Sequence, residues 1–312
     1  MKKFTLLFSF IACVLVSQAQ TLVNENFDYT VGSGLIGQGG WAIVGTNVTN
    51  PITVSASSIS YLNYPSSGIG QELSINTTGQ DVTKSFEAQK SGTVYYSFIA
   101  NILTAKTTGD YFIHFVETGS TSAFFGRFYT KLVGDKLSFG IMNASGGTAT
   151  PTYTEAIYDL NTTYLIVVKV DAYTGVSSMV INPALTPEPT TWLTNTTGGT
   201  TVPSPTIGLG GINIRQGSDA NAPTLKLDGL RVETSWAALF TGLSPVYTEK
   251  LNVSVAGKRL TIRNAPSNTV EIFNTIGAKV KTVELKNNSV DLNLAKGFYL
   301  VRAGKATAKI ML

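Results

Sequence analysis

Short runs in which apolar and polar residues alternate cover most of this chain, and each run is bounded by residues that favour turns. Beyond residue 19, no stretch has helical periodicity over ten residues or more. Alternation with a period of two is typical of strands that bury one face, and Gly, Asn and Asp supply the positive φ that tight hairpins need. The stretch Val133-Gly134-Asp135-Lys136, which separates two such runs, predicts a hairpin. The pattern therefore predicts an all-β fold.

Residues 1–19 have the features of a secretory signal peptide. Lys2 and Lys3 precede an apolar run, and Ser17-Gln18-Ala19 follows it with small residues at both ends. A bilayer-spanning helix needs about 20 apolar residues, and neither this run nor a later one reaches that length. The single cysteine, Cys13, lies inside this segment. The remaining chain therefore forms no disulfide and depends on packing for its stability.

The rest of the chain divides into a large and a small segment. Residues 20–240 hold widely spaced strand candidates and a proline-rich stretch over 183–205, which predicts a surface loop. Residues 241–247, which include Gly242 and Pro245, predict a linker. Residues 248–312 hold seven short strand candidates, and this spacing is typical of a small antiparallel sandwich of the Ig-like kind.

Charge is distributed unevenly between these two segments. Residues 245–312 carry 11 Lys and Arg against 4 Asp and Glu, whereas residues 20–244 carry 10 against 15. Nucleic-acid binding needs a focused basic surface with interleaved aromatic side chains. Because the large segment is acidic and the basic one holds few aromatic residues, we expect no nucleic-acid partner.

The small segment resembles the type A C-terminal sorting domain of the type nine secretion system in Bacteroidetes. The stretches that carry the resemblance are Val270–Gly277, Val290–Leu292, Leu294–Arg302 and Lys309–Leu312. The matched motif positions are Gly277, Asp291, Lys296, Gly297, Phe298 and Tyr299. The family's usual Pro-Asn-Pro opening is replaced by Ser244-Pro245-Val246, which blurs the start of the domain. The resemblance implies export to the periplasm, the type nine machinery as a partner, and release or attachment at the outer cell surface.

The large segment is similar to concanavalin A-like and laminin-G-like jelly rolls. The similarity rests on three stretches, Glu25–Tyr29, Gly37–Trp41 and Leu227–Val232. It implies a large jelly-roll β-sandwich in which the first and last strands pair. It also implies a possible structural Ca²⁺ between the terminal strands, with Glu25, Asp28 and Asp228 as ligands and no other cofactor. The alternative is that Asp28 and Asp228 are turn or edge residues whose carboxylates accept hydrogen bonds from their own backbone.

Sequence motifs for catalysis on this fold are missing. The Glu-x-Asp-x-x-Glu strand of retaining glycosidases is absent, as are the Gln-Ile-His and Arg-x-Glu-Leu-Arg motifs of jelly-roll alginate lyases. His114 is the single histidine. A Ser-His-Asp triad would have to use it, but the sequence has no Gly-x-Ser-x-Gly motif for the nucleophile. A zinc site would lack a second histidine and a cysteine. The sequence therefore favours a protein without catalytic activity, and it assigns no catalytic residue.

A candidate ligand face follows from strand alternation. Phe125, Arg127 and Tyr129 alternate along one strand candidate, and His114 and Lys169 are outward positions on two others. The predicted ligand-binding residues are therefore Phe125, Arg127, Tyr129, His114 and Lys169, together with Trp192 in the proline-rich loop. Aromatic faces stack on sugar rings and cations bind acidic sugars. The alternative is a solvated face with one paired arginine and a tryptophan that only packs.

Taken together, these features predict a secreted or cell-surface jelly-roll protein that binds glycan without catalysis. One alternative is a structural or adhesive surface protein, and another is a polysaccharide hydrolase or lyase with a scattered site. Two carboxylates about 5–9 Å apart in a groove would indicate a hydrolase. A groove centred on His114, Arg127 and Tyr129 would indicate a lyase, and a flat aromatic face would indicate binding.

Overall fold

The computed structural model of the chain describes residues 19–146, 148–240, 251–263, 267–274, 279–303 and 306–312. All but the last residue of the predicted signal peptide, and the whole predicted linker, lie outside these ranges. The described residues form two compact units, one within 1–244 and the other within 245–312. Within the described residues, the only helix is α1 (Trp236–Phe240), and it is not long and apolar enough to cross a bilayer. The prediction of an all-β fold is confirmed.

Two antiparallel sheets make up the large unit. One consists of β1 (Thr21–Glu25), β3 (Thr53–Val54), β4 (Leu73–Ile75), β6 (Thr93–Thr104), β11 (Thr163–Asp171), β12 (Ser177–Ile181), β13 (Leu193–Thr194) and β15 (Thr224–Glu233). The other consists of β2 (Trp41–Val44), β5 (Asp81–Gln89), β7 (Asp110–Glu117), β8 (Phe124–Val133), β9 (Lys136–Met142), β10 (Thr152–Tyr153) and β14 (Leu209–Ile214).

The order of the strands matches a jelly roll. The eight-stranded sheet runs β13-β12-β11-β6-β15-β4-β3, with β1 also paired to β15, and the seven-stranded sheet runs β10-β9-β8-β7-β14-β5-β2. The first and last strands therefore pair as predicted, with Glu25 opposite Leu230. The predicted hairpin is present as well, since Val133 lies opposite Lys136 in the β8–β9 pair.

Aromatic rings fill the space between the two sheets. Phe98 on β6 is fully buried, and its ring meets those of Phe112 and Phe128 on the facing sheet edge-on, with centroids 5.9 and 5.6 Å apart. Edge-to-face geometry is the arrangement that aromatic pairs prefer. Because Cys13 is the single cysteine of the sequence, no disulfide can form within the chain, and this packing supplies the cohesion instead.

The outer face of the eight-stranded sheet is covered by a second apolar cluster. Tyr95, Leu165 and Val167 project from that sheet and pack under Trp236 and Leu239 of α1. Residues 59–64 and the loop around residues 185–192 contribute further side chains to this cluster. The covered face offers little room for a ligand, which leaves the outer face of the seven-stranded sheet as the more open surface of the sandwich.

The small unit is a second, smaller sandwich. Its strands are β16 (Asn252–Ala256), β17 (Arg259–Arg263), β18 (Thr269–Phe273), β19 (Lys279–Glu284), β20 (Ser289–Asp291), β21 (Phe298–Ala303) and β22 (Ala306–Met311). They form sheets β16-β17-β20 and β19-β18-β21-β22, and all their pairs are antiparallel. Leu260 and Ile262 of one sheet share a core with Val270, Ile272 and Val301 of the other.

The matched sorting-motif positions cluster near the ends of these strands. Asp291 is the last residue of β20, and Phe298 opens β21 with half of its side chain exposed. Gly297 exchanges two backbone hydrogen bonds with Leu312, and the Tyr299 hydroxyl donates to the Ala295 carbonyl at 2.9 Å. Gly277 lies outside the described residues.

We expect Phe98→Ala to lower the free energy of unfolding of the large unit by about 3–5 kcal/mol, because it empties the centre of the aromatic core. The measurement is chemical denaturation followed by tryptophan fluorescence, since Trp41, Trp192 and Trp236 all lie in this unit. The control is Tyr173→Ala, whose side chain is 65% exposed and which should change stability by less than about 0.5 kcal/mol. Equal losses in the two variants would contradict a core centred on Phe98.

Candidate functional site

A row of polar side chains crosses four neighbouring strands on the outer face of the seven-stranded sheet. Thr83 on β5 pairs in register with Asn213 on β14, and Asn213 pairs with His114 on β7. Arg127 on β8 follows His114 across the next strand pair. The flanking residues Val82, Ile212 and Ile214 belong to the core, so the polar residues between them project outward. These four residues, Thr83, Asn213, His114 and Arg127, are called the polar row below.

A β-bulge at Gly126 turns Arg127 toward this face. Phe115 pairs with Phe125, whereas Ile113 pairs with Phe128, so β8 has one extra residue between the two pairs. Gly126 has φ +58°, and a Cβ there would lie 2.5 Å from a Val170 methyl group. Phe125 and Phe128, on either side of the bulge, consequently both face the core. The prediction that Phe125 lies on the ligand face is wrong because strict alternation does not survive the bulge.

Lys169 and Trp192 do not belong to this face either. Lys169 lies on β11 of the other sheet, where its Nζ is 3.4 Å from a Glu188 carboxylate oxygen and 4.0 Å from the centre of the Trp192 ring. Trp192 also meets Trp236 edge-on and donates from Nε1 to the Pro189 carbonyl. The outward faces of two packed sheets point in opposite directions, so the prediction that Lys169 joins His114 and Arg127 is wrong.

Three tyrosines run beside the polar row. The rings of Tyr111 and Tyr129 are 5.3 Å apart, and those of Tyr129 and Tyr153 are 6.4 Å apart. All three side chains are half-buried. The Tyr153 ring lies over Gly140, where a Cβ would be 2.7 Å from it. These residues, Tyr111, Tyr129 and Tyr153, are called the tyrosine row.

Sequence reasoning found only one member of the tyrosine row. Simple alternation puts Tyr111 on the side opposite His114, but a register shift between Tyr111 and Ile113 brings it to the same side. Tyr153 lies on a two-residue edge strand that no alternating run marks. Asn213 sits between two isoleucines and has no signal beyond its polarity.

The two arginines of this face differ in their partners. Arg215 pairs with Asp110 at 2.9 Å and donates to the Tyr111 carbonyl at 3.1 Å. Arg127 is only 8% exposed, and its Nε and Nη2 have no hydrogen-bond partner among the described residues. Its guanidinium lies 5.1 Å from the centre of the Tyr111 ring. The alternative of a paired arginine therefore does not describe Arg127, which is a buried cation with free donors.

His114 is a neutral acceptor in this arrangement. Its side chain is 1% exposed, and Nδ1 lies 3.0 Å from the Phe115 carbonyl oxygen. A carbonyl only accepts, so Nδ1 carries the proton and Nε2 is left as the acceptor. Burial, reinforced by the charges of Arg127 and Arg215, lowers the pKa of His114 to about 3. The oxygen Oδ1 of Asn213 is likewise buried and has no partner among the described residues.

A small groove adjoins the polar row. Its volume is about 170 Å³, and its lining includes Thr83, Ser85, Val116 and Gly211, together with residues of the loop at 117–121. Thr83 is the one residue of the polar row that lines it. Closed pockets for small molecules are larger, at about 300–1,000 Å³. An open face with a shallow groove suits one part of an extended ligand better than a whole small molecule.

The residues implied as calcium ligands do not form a metal site. Glu25 already accepts from Tyr29, Trp41 and Lys84, at 2.8, 3.1 and 2.5 Å. Because Trp41 belongs to the core, Glu25 lies on the core side of the sheet. Asp228, by contrast, accepts from the backbone amide of Ile59, in a segment that covers the outer side.

The carboxylate of Asp228 also has hydrogen-bond donors from the protein already. It accepts from the Ser58 hydroxyl and from the backbone amides of Ile59 and Gly229, and burial raises its pKa to about 7. Among the described residues, no group of three or more His, Cys, Asp or Glu could hold a metal ion. The calcium prediction for Glu25, Asp28 and Asp228 therefore does not fit the donor set.

Comparisons with known proteins leave the ligand open. No protein-family model and no curated protein matches the sequence. Among solved structures, the carbohydrate esterase of Shiga toxin-encoding bacteriophage phi24B is similar over 69% of this chain and 99% of its own, with 13% identity and a TM-score of 0.45. Domain 4 of the arabinanase AbnA from Geobacillus stearothermophilus, solved with arabinotriose, is similar over 72% and 99%, with 12% identity and a TM-score of 0.40.

A third similar structure is the CBM2 module of the evolved Dit protein of Lactobacillus casei BL23 phage J-1. The similarity covers 69% of this chain and 95% of that one, with 11% identity and a TM-score of 0.41. Similarities this distant assign neither a ligand nor an activity to the chain.

We expect Arg127→Met to raise the melting temperature of the large unit by about 2–4 °C, because it removes a buried charge with unpartnered donors. The matched variant Arg215→Met should lower the melting temperature, since it leaves the carboxylate of Asp110 without its ion-pair partner. Thermal unfolding followed by tryptophan fluorescence measures both. A comparable drop in both variants would mean that Arg127 has a structural partner.

The single histidine allows a direct test of the depressed pKa. We expect its imidazole NMR signal to stay constant from pH 8 to about pH 5 in the untagged folded protein. The unfolded chain takes up a proton near pH 6.5 while the folded chain does not, so His114 should make the protein less stable as the pH falls below that value. A midpoint near pH 6.5 in the folded protein would contradict the burial of His114.

Proposed function

We propose that the chain is a secreted or cell-surface protein that binds glycan without catalysis, and that its site is the outer face of the seven-stranded sheet. The observation that supports this most directly is the tyrosine row lying beside the polar row. Aromatic faces stack on sugar rings, and hydrogen-bonding groups without partners can be satisfied by sugar hydroxyls. The open face and shallow groove suit a polymer that lies along the sheet.

Hydrolysis finds little support in the carboxylates around this face. Asp110 is paired with Arg215, Asp81 accepts from the Gln216 amide, and Glu117 accepts from the Ser204 amide. A glycosidase needs one carboxyl group as acid and another as nucleophile or base, both facing the scissile bond. Carboxylates tied to the scaffold in this way do not provide such a pair.

A polysaccharide lyase is the second candidate, because His114, Arg127 and Tyr129 share the face. β-Elimination needs a base that can take a proton from a sugar carbon at the working pH. His114, whose pKa is about 3, is a weak base, and burial raises the pKa of Tyr129 to about 12, so its phenolate is scarce. Binding is therefore favoured over turnover, and release of unsaturated sugar from an acidic polysaccharide would reverse that preference.

We also propose that residues 248–312 direct export through the type nine secretion system. Support comes from the resemblance of the matched motif positions and from the separate compact unit that these residues form. The predicted signal peptide would supply the first step, into the periplasm.

Deleting residues 246–312 should leave the protein in the periplasm of a host that has the type nine secretion system. Cell fractionation with immunodetection makes the measurement, and the full chain in the same host is the control. Unchanged export of the shortened chain would remove the sorting role and leave the large unit's proposed function untouched.

We expect Tyr129→Ala and Tyr153→Ala each to weaken binding of a bound polysaccharide about fivefold or more, since a stacked ring contributes about 1 kcal/mol. Affinity electrophoresis of the full chain against neutral and acidic polysaccharides measures it. Trp192→Ala, in the loop that covers the opposite sheet, is the matched aromatic control. A loss confined to the Trp192 variant would move the site to that sheet, and no retardation of the unaltered protein would favour a structural or adhesive role.

A further inference from the structure

We infer that the polar row binds the carboxylate group of an acidic sugar, with Arg127 holding the carboxylate and with His114 and Asn213 accepting from the ring hydroxyls. This inference rests on the proposed glycan-binding function and narrows it to uronate-containing polysaccharides. Within the described residues, the feature that leads to it is a nine-tenths buried arginine whose two inner donors have no partner.

The free nitrogens of Arg127 lie on one edge of the guanidinium. Nε and Nη2 point their N–H bonds in the same direction, and together they match the two oxygens of a carboxylate in a planar, bidentate contact. A buried cation whose donors are unsatisfied destabilises the unbound protein, and an anionic partner removes that cost. A neutral sugar hydroxyl can satisfy only one of these donors and carries no compensating charge.

Neighbouring charges do not compensate Arg127. The nearby carboxylate of Asp110 is bonded to Arg215. Lys131 adds a second positive charge at the far side of the tyrosine row, with Nζ 3.9 Å from the centre of the Tyr153 ring. Arg127 and Lys131 are thus two cations of this face for which the described residues provide no salt bridge, whereas Arg215 is paired. Two unpaired cations on one face suit a polymer that carries repeated carboxylates.

The rest of the polar row complements sugar hydroxyls. Nε2 of His114 and Oδ1 of Asn213 are acceptors, and hydroxyl groups are the donors that a sugar offers. Neighbouring strands are about 4.8 Å apart, so the two acceptors lie on strands about 5 and 10 Å from that of Arg127. A donor edge at one end and acceptors across the next two strands define an orientation for a sugar ring with an acidic substituent.

The first experiment compares esterified and free polymers on the full, unaltered chain. Isothermal titration calorimetry at physiological ionic strength would use polygalacturonate, alginate and hyaluronate, each beside its methyl-esterified form. Dextran serves as the neutral polymer and dextran sulfate as a polyanion without carboxylates. We expect at least one free polyuronate to bind tenfold or more tightly than its ester and than dextran sulfate.

The second experiment tests the residue with variants. Arg127→Lys keeps the positive charge but loses the bidentate edge, and we expect it to weaken binding of the preferred polyuronate at least tenfold. The control Arg263→Met removes an exposed positive charge from the small unit and should leave that affinity unchanged. Melting curves of each variant establish that it is folded, and the ester comparison on the unaltered chain stands whether or not a variant folds.

The outcomes separate this inference from the proposed function. Binding of neutral or esterified polymers as tightly as free polyuronates would overturn the carboxylate assignment and leave glycan binding intact. Equal binding of dextran sulfate would replace it with a general polyanion surface. No binding of any polymer would overturn both proposals, and undiminished polyuronate binding by the Arg127 variant would remove Arg127 from the site.

Discussion

A hydrogen bond from the Tyr96 hydroxyl to the Gly126 carbonyl, 2.6 Å long, joins the two sheets of the large unit at the point where β8 changes register. Tyr96 is fully buried, and burial raises the pKa of its phenol well above the usual value, so it remains a donor at any physiological pH. The bulge that it braces sends Phe125 and Phe128 into the core and Arg127 outward. The aromatic core and the polar face thus depend on one local departure from regular strand geometry.

The two outer faces of the sandwich differ in the side chains that cover them. On the eight-stranded sheet, α1 and two loops cover the surface with apolar side chains. The fully buried Arg231 and Glu233 form an ion pair there at 2.8 Å, although Nε of Arg231 has no partner among the described residues. On the seven-stranded sheet, polar groups are buried among aromatic rings and several lack partners. Buried polar groups without partners are costly and rare in native proteins. Among the described residues of this face they are Nε and Nη2 of Arg127 and Oδ1 of Asn213, and these are the groups that we propose a ligand satisfies.

The histidine and the tyrosine of that face are poorly suited to proton transfer near neutral pH, for one physical reason. Burial in low-dielectric surroundings pushes His114 and Tyr129 toward their neutral forms, which makes His114 a poor base and Tyr129 a poor source of phenolate. The same burial strengthens any hydrogen bond or ion pair that a ligand completes. A ligand on this surface would meet neutral acceptors and one unpartnered edge of a buried guanidinium, without groups that exchange protons near neutral pH.

Local pattern in the sequence determined the strands and the hairpin at Val133–Lys136, because each depends on neighbouring residues alone. Composition and strand spacing likewise distinguished the two units and excluded disulfides. Which side chains meet was decided by the tertiary structure. Alternation placed Phe125 and Lys169 beside Arg127, but a bulge and membership of the opposite sheet separated them. Tyr111 joined the site through a register shift between the consecutive strands β7 and β8, and Asn213 through the pairing of β14 with β7, which are far apart in the chain. Strand register and sheet membership are non-local, so a period-two pattern predicts that a residue faces outward without predicting which residues share that face.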